Sequence, residues 1–405
     1  MSDFTVRPAE ESELRTASTV FLGALHMAPL SDEKWRYWSR SYEPGRTQGA
    51  FSDGQLIGAA VTWGSRLTLP GGGALPMAAV TGVGVRADHT RRGVLTELMT
   101  AALADAHERG EPLAGLHATE APIYGRFGYG MAIRAGNLRI NRRTATLRAD
   151  VPRVGQVRLV DPDEALRLVP AIYERALPTR PGLMSRSAGW WALAYEKRLR
   201  GTEDNLLVAV HSDPDGATGF VTYSVSEERS EFAAGNCATL RIRDFQTATA
   251  TAATGLWRYL LGVDLVDEIF AWARSIEEPL PAMLTDPRAV RTTFEEGLWL
   301  RLVDVPRALA GRTYGTAEPV VLDVRDRLLP ANSGRYRISP HGTEPTTEPP
   351  GLVLDVDALA MLYLGAWPAS TLATAGRIEV ADPDAVPHAD RLFASPTAAM
   401  CSTMF

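Results

Sequence analysis

The chain has 405 residues, and at about 150 residues per domain that length argues for two or three domains rather than one module. A hydrophobic share of 45% beside 22% charged residues excludes a disordered, collagenous or membrane-spanning chain. The net charge of -6 argues against a nucleic-acid partner, which needs a basic excess, and weakly favours cationic ligands.

Only Lys34 and Lys197 are lysines among the 42 basic residues, which is read more simply as the mark of a GC-rich genome than of an enzyme that modifies amines. Cys237 and Cys401 cannot build a disulfide framework or a cysteine metal site, and they fit a reducing compartment. The opening MSDFTVRPAEESEL lacks the basic-then-apolar order of a signal peptide, and no stretch reaches the roughly 18 apolar residues of a membrane helix. A cytosolic, soluble protein with no membrane partner is expected.

In chain order, the first unit reads as a strand at Phe4 to Val6, a helix from Glu10 to Leu22, and a second helix starting at the Ser31 cap. Two strands, Gln48 to Ser52 and Leu56 to Ser65, are joined by the Ser52-Asp53-Gly54-Gln55 turn. Met77 to Val85 reads as a buried strand, Arg92 to Glu108 as a helix with Val94, Leu95, Leu98, Met99, Ala102, Leu103 and Ala106 inward, and Leu113 to Ala118 as a short strand. A second α/β stretch repeats that order with a helix from Asp163 to Leu177, strands Leu206 to Val210, Gly219 to Val225 and Ala238 to Phe245, and a helix from Thr247 to Leu261. Beyond Trp299 come a strand and helix ending at Leu309, strands Val320 to Val324 and Gly334 to Ile338, and a helix from Asp357 to Leu364. Boundaries are placed near Leu138 and Leu300.

The run Thr81-Gly82-Val83-Gly84-Val85-Arg86-Ala87-Asp88-His89-Thr90-Arg91-Arg92-Gly93-Val94-Leu95-Thr96 carries the most chemistry. Its glycines match a dinucleotide fingerprint as a string, but they lie inside a strand pattern instead of forming the turn that opens a helix. Read as structure alone, they mark a bulge and the arginines a solvated helix start. Read together, a bulged strand opens a gap, and Arg91-Arg92-Gly93 presents backbone N–H groups to a pyrophosphate, whose charge removes the objection to arginine at the positive end of a helix dipole.

Strand, arginine-glycine turn and helix in this order resemble the acetyl-CoA motif of the Gcn5-related N-acetyltransferases (GNAT), although Thr90 and Leu95 depart from that motif's first and last places. With Ile123-Tyr124-Gly125-Arg126-Phe127-Gly128-Tyr129-Gly130, and with Leu298-Trp299-Leu300-Arg301-Leu302-Val303-Asp304-Val305, the chain resembles the Eis-like (enhanced intracellular survival) acetyltransferases over essentially its whole length. That resemblance implies an α/β (α+β) protein: a catalytic GNAT domain over 1–138, a degenerate GNAT-like domain over 139–300, and a sterol-carrier-protein-like domain over 301–405. In the second, Gln246-Thr247-Ala248-Thr249 offers no phosphate loop, so one active site per chain is expected.

The resemblance further implies acetyl-CoA as co-substrate and no metal. Val83, Gly84 and Val85 would pair with the pantetheine arm, and Arg91, Arg92, Gly93, Leu95 and Thr96 would cradle the pyrophosphate. Tyr124 would act as general acid, since a phenol near pKa 10 can protonate a leaving thiolate, and the C-terminal carboxylate of Phe405 as base. His117 lines the acceptor pocket or caps the sheet. Trp35 and Trp38 form a pocket wall or belong to the core. Glu296 is an anion for a cationic acceptor or sits on a solvated turn. Acceptors of the family are aminoglycosides, often acetylated at several amines, lysine side chains and other amines, and the assembly is a homohexamer. The alternative is a non-catalytic lipid or ligand carrier that uses the last domain. No His-Glu-x-x-His, Gly-x-Ser-x-Gly or Walker loop is present.

Overall fold

The computed structural model describes residues 3–201, 205–232 and 234–405. Three sheets organise them. The first runs, in spatial order, Thr5–Pro8, Thr47–Ser52, Gln55–Thr68, Ala74–Val85, Leu113–Leu116, Trp299–Leu302 and Gly130–Met131. The second runs Val290–Glu296, Arg134–Asn141, Glu268–Ser275, Asn236–Thr247, Gly216–Arg229, Leu207–Asp213 and Gln156–Val160, and the third has five strands within residues 320–380. The first two thus repeat one plan, a long antiparallel meander followed by a parallel strand, with a helix in the crossover: Val94–Glu108 in one and Ala250–Leu261 in the other.

Both expected boundaries fall inside strands. Leu138 lies in Arg134–Asn141, the strand that carries the chain into the second sheet, and Leu300 lies in Trp299–Leu302. The latter strand is apolar enough to be drawn into an interior, and it returns to the first sheet, antiparallel to both Leu113–Leu116 and Gly130–Met131. The first sheet is therefore complete only after the whole second unit has been made. Arg301 on this strand is fully buried and pairs at 2.6 Å with Asp326 of the third unit.

The helix Val94–Glu108 buries Val94, Leu98, Met99, Ala102, Leu103 and Ala106, the expected face apart from a half-buried Leu95. At about 1.5–3 kcal/mol for each fully buried large aliphatic side chain, this face alone holds the helix on the sheet. Ser31 caps Asp32–Trp38 by accepting from the Lys34 N–H at 3.3 Å. Among the described residues no helix is long and apolar enough to cross a membrane.

Candidate active site

The expected bulge lies in the strand Ala74–Val85. Val61 pairs with Thr81 and Ala59 with Gly84, so Gly82 and Val83 together face the single residue Ala60, and Gly82 takes φ +51°. Pairing with the parallel neighbour stops at Ala79 and Gly115, so the strand from Val80 onward loses its partner on that side. Val83 faces the opened gap and lines its cavity. Gly84 has a different cause: a Cβ there would sit 2.6 Å from the Cα of Phe21, because the helix Leu14–Ala24 packs directly on it. Its missing side chain admits a helix rather than a ligand, and neither Gly84 nor Val85 lines the cavity.

The turn after this strand aims backbone donors outward. Arg91 (φ +62°) and Gly93 (φ +85°) are both left-handed, and Gly93 is the N-cap of Val94–Glu108 without any side-chain cap. The first helical N–H groups, Val94, Leu95 and Thr96, precede the first intrahelical bond, from Glu97 to Gly93. Arg86 and His89 are both engaged by Asp88, at 2.7 and 2.9 Å, and His89 first and Arg86 second hold the Asp88 carboxyl down at about 2. Arg92 lies 3.8 Å from Asp3 with both side chains exposed. A backbone cradle at the positive end of a 15-residue helix, flanked by Arg91 and Arg92, fits a pyrophosphate.

Tyr124 ends the short helix Ala121–Tyr124, is 7% exposed, and meets the ring of Tyr129 edge-on at 6.2 Å. Burial raises its phenol above the ordinary value, with the Thr119 side chain opposing, so it stays protonated at neutral pH. Tyr129 is fully buried, and its hydroxyl has no hydrogen-bond partner among the described residues.

Tyr124 shares a cavity of about 950 Å³ with Val83, His117, Trp38, Asp244 and Phe405. The third unit reaches this cavity only through its tail, at Ser402, Met404 and Phe405. That tail is held mainly by the second unit. Met400 donates its N–H to Pro181 at 2.9 Å beside Gly182, where a Cβ would collide with Met400. Arg186 Nε donates to Thr403 Oγ1 at 3.0 Å, and Trp190 Nε1 to the Met404 carbonyl at 2.8 Å. Arg186 is itself fixed by Asp244, at 2.6 Å, whose carboxylate also accepts from Tyr195 at 2.7 Å and Gln246 at 2.8 Å.

His117 joins the first unit to the tail. Its Nε2 lies 3.0 Å from the Thr403 carbonyl, which can only accept, so Nε2 carries the proton, and the rings of His117 and Phe405 are 5.0 Å apart. Burial lowers the pKa of the imidazole despite that hydrogen bond, keeping it neutral near pH 7.

Two expected pocket residues lie elsewhere. Trp38 lines the cavity and packs on Phe21, but Trp35 does not line it, and its ring lies tilted against Tyr42 at 5.8 Å. Glu296 accepts from Trp299 Nε1 at 3.0 Å, whereas its neighbour Glu295 lines the cavity, because successive side chains of a strand face opposite sides. Arg186, Asp244, Trp190 and Thr403 carry no motif that marks them in the sequence. Among the described residues no group of His, Cys, Asp and Glu could hold a metal ion.

Comparison with known proteins bears on this arrangement. Two acetyltransferase (GNAT) domain families match residues 5–132 and 182–302, and a sterol carrier protein domain family matches 305–402. The chain is 37% identical over 364 residues to the N-acetyltransferase Eis of Mycobacterium tuberculosis, covering 86% of this chain and 85% of that one. This chain belongs to the Eis-like N-acetyltransferases. Like them it is an acyltransferase built from two GNAT folds and a sterol-carrier-type domain, and acetyl-CoA is the donor that GNAT acetyltransferases use. An uncharacterized N-acetyltransferase of Streptomyces avermitilis is 35% identical over 100% of this chain and 99% of its own. The crystal structure of Eis1 from Mycobacterium abscessus superposes on this Eis-like enzyme with a TM-score of 0.89 at 38% identity, covering 99% and 100% of the two chains.

Proposed function

We propose that this Eis-like enzyme transfers acetyl from acetyl-CoA directly to a primary amine of a small molecule. What carries the reading is that the gap beside Val83, the protonated Tyr124 and the tail residue Phe405 line one cavity. The helix N-terminus at Gly93 to Thr96, with Arg91 and Arg92, holds the pyrophosphate, and the unpaired edge from Val80 to Val83 receives the pantetheine arm. A neutral amine attacks the thioester carbonyl, so that a C–N bond forms as the C–S bond breaks. Tyr124 protonates the leaving thiolate, and the Phe405 carboxylate takes the amine proton, with His117 holding the tail that carries it.

Aminoglycosides and lysine side chains are acceptors that the family resemblance brings forward, and for such cations the cavity offers Glu295 and the terminal carboxylate. A homohexamer in the cytosol belongs to the same reading. In its support, Val290–Glu296 is an edge strand with Phe294 58% exposed. Incubation with acetyl-CoA and a panel of primary amines, following free thiol, tests the activity: no release above the blank with any amine would remove it. Sedimentation velocity tests the assembly, and a monomer would overturn the hexamer.

A further inference from the structure

Of the two lysines in the chain, one lines the cavity that holds Tyr124 and Phe405. Lys34 is exposed on the helix Asp32–Trp38 and is not part of the lining, whereas Lys197, half-buried, is. Arg198, Arg241 and Arg243 also line the cavity, but a guanidinium stays protonated and does not attack a thioester. Lys197 is thus the one lining residue with a primary amine on its side chain. Among the described residues it takes part in no ion pair, and the carboxylate of its neighbour Glu196 is engaged by Arg40 at 3.0 Å.

One continuous helical segment puts this amine on the cavity. Ala188–Trp191, Ala192–Glu196 and Lys197–Arg200 follow one another without a break, the middle piece π-helical, and such turns recur at functional sites. Ser187 opens the segment by accepting from the Trp190 N–H at 3.1 Å. Trp190, Leu193, Ala194, Lys197 and Arg198 all line the cavity, and their spacing of three and four marks a single helical face. At the start of that face Trp190 Nε1 donates to the carbonyl of Met404, the residue before Phe405, at 2.8 Å. Lys197 stands two turns further on, about 10 Å along the axis, and its flexible four-carbon stem is long enough to cover much of that distance.

We propose that Lys197 is an internal acceptor: with acetyl-CoA bound and no other amine present, the enzyme acetylates its own Lys197 once. The neutral Nζ attacks the thioester carbonyl, and a C–N bond forms as the C–S bond breaks. The thiolate takes the Tyr124 proton, and the Phe405 carboxylate takes one from the amine. The products are coenzyme A and an N-acetyl-lysine, which is no longer a nucleophile, so the event does not repeat. It leaves the cavity one cation poorer for the acceptors that follow. The inference rests on the acetyl-transfer reading and adds a modification site to it.

The test incubates the full-length protein with acetyl-CoA alone and follows intact mass, free thiol and the peptides that carry Lys197 and Lys34. One acetyl group per chain should appear on Lys197, about 10²-fold or more faster than on the exposed Lys34, the least that a positioned acid and base contribute. Its half-time should not depend on protein concentration. Lys197→Arg, shown to be folded by its thermal melt, should release no thiol until an amine is added. Tyr124→Phe should slow Lys197 acetylation by the same factor as it slows acetylation of an added amine. Equal rates at Lys197 and Lys34, or a thiol burst that survives in Lys197→Arg, overturns the proposal. A half-time that shortens with protein concentration also overturns it, since transfer would then run between chains. If added amines release thiol while Lys197 stays unmodified, the internal acceptor falls and the acetyl-transfer reading stands. If neither reacts, both fall.

Discussion

Arg186 and Thr403, 217 residues apart in the sequence, meet at 3.0 Å, the guanidinium Nε donating to the threonine hydroxyl. The same guanidinium is fully buried against Asp244 and lies over the rings of Tyr173 and Trp190, at 3.8 and 4.2 Å. A unit without a phosphate loop of its own thereby holds the tail that completes the first unit's cavity.

This arrangement predicts an asymmetry between breaking the Arg186–Asp244 pair and replacing it. Arg186→Met leaves the Asp244 carboxylate buried with only Tyr195 and Gln246, and should cost about 3–5 kcal/mol of stability. Arg186→Met with Asp244→Leu removes both charges and should regain most of that loss. Turnover should remain low in both, because Thr403 loses its guanidinium donor and the tail is left to the weaker hold of His117 and Tyr173. Thermal melts beside thiol-release rates decide it: a double variant as active as the wild type would show that the anchor has no part in catalysis.

Tyr124→Phe removes the phenolic proton and leaves the ring that packs on Tyr129. kcat should fall by about 10²–10⁴, the usual worth of a positioned general acid, with little change in the acetyl-CoA dissociation constant. Burial raises the Tyr124 phenol above its ordinary value near 10. The wild-type rate should therefore hold up to pH 10 and decline only above it. A wild-type decline centred below pH 10 would assign the acid to another group.

His117 makes stability depend on pH with a definite sign. Its pKa in the folded chain is below the ordinary 6.5, so in the window just under that value the unfolded chain binds more protons than the folded one. Stability contributed by the neutral ring is thus present above about pH 6.5 and is lost as pH falls. His117→Gln can still donate to the Thr403 carbonyl without titrating. Its melting temperature should change less than that of the wild type between pH 7 and pH 5, and parallel curves would show that His117 is not the group responsible.

The parts of the site legible in the sequence were those whose cause is local. A bulge needs Gly82 at positive φ, and a helix entered through a left-handed N-cap needs Gly93, so both stand out against their neighbours. Trp299–Leu302 was legible as a strand but not as a member of the first sheet, since its partners Leu113–Leu116 lie almost two hundred residues away. Glu296 in place of Glu295 is an error of one residue, which in a strand exchanges the two faces. Gly84 looked like a ligand contact because the helix that claims its space is distant in the chain. The clamp on the tail leaves no trace at all, because Arg186, Asp244 and Thr403 are ordinary residues until the fold brings them together.

The Phe405 carboxylate can be separated from the Phe405 side chain. Deleting Met404 and Phe405 would remove the phenyl ring beside His117 and strip Trp190 Nε1 of its acceptor, the Met404 carbonyl, so a loss of rate would not say which feature mattered. A full-length chain with a C-terminal amide, made by ligating a synthetic tail peptide, keeps the ring, the Thr403 anchors and the Trp190 hydrogen bond and removes only the charge. If the carboxylate takes the amine proton, kcat should fall by about 10²-fold or more while the acceptor KM changes little. A small rise in KM at constant kcat would mean that the carboxylate binds the acceptor and the amine proton leaves by another route. An amidated enzyme with wild-type kcat and KM would leave the tail as a wall of the cavity and no more.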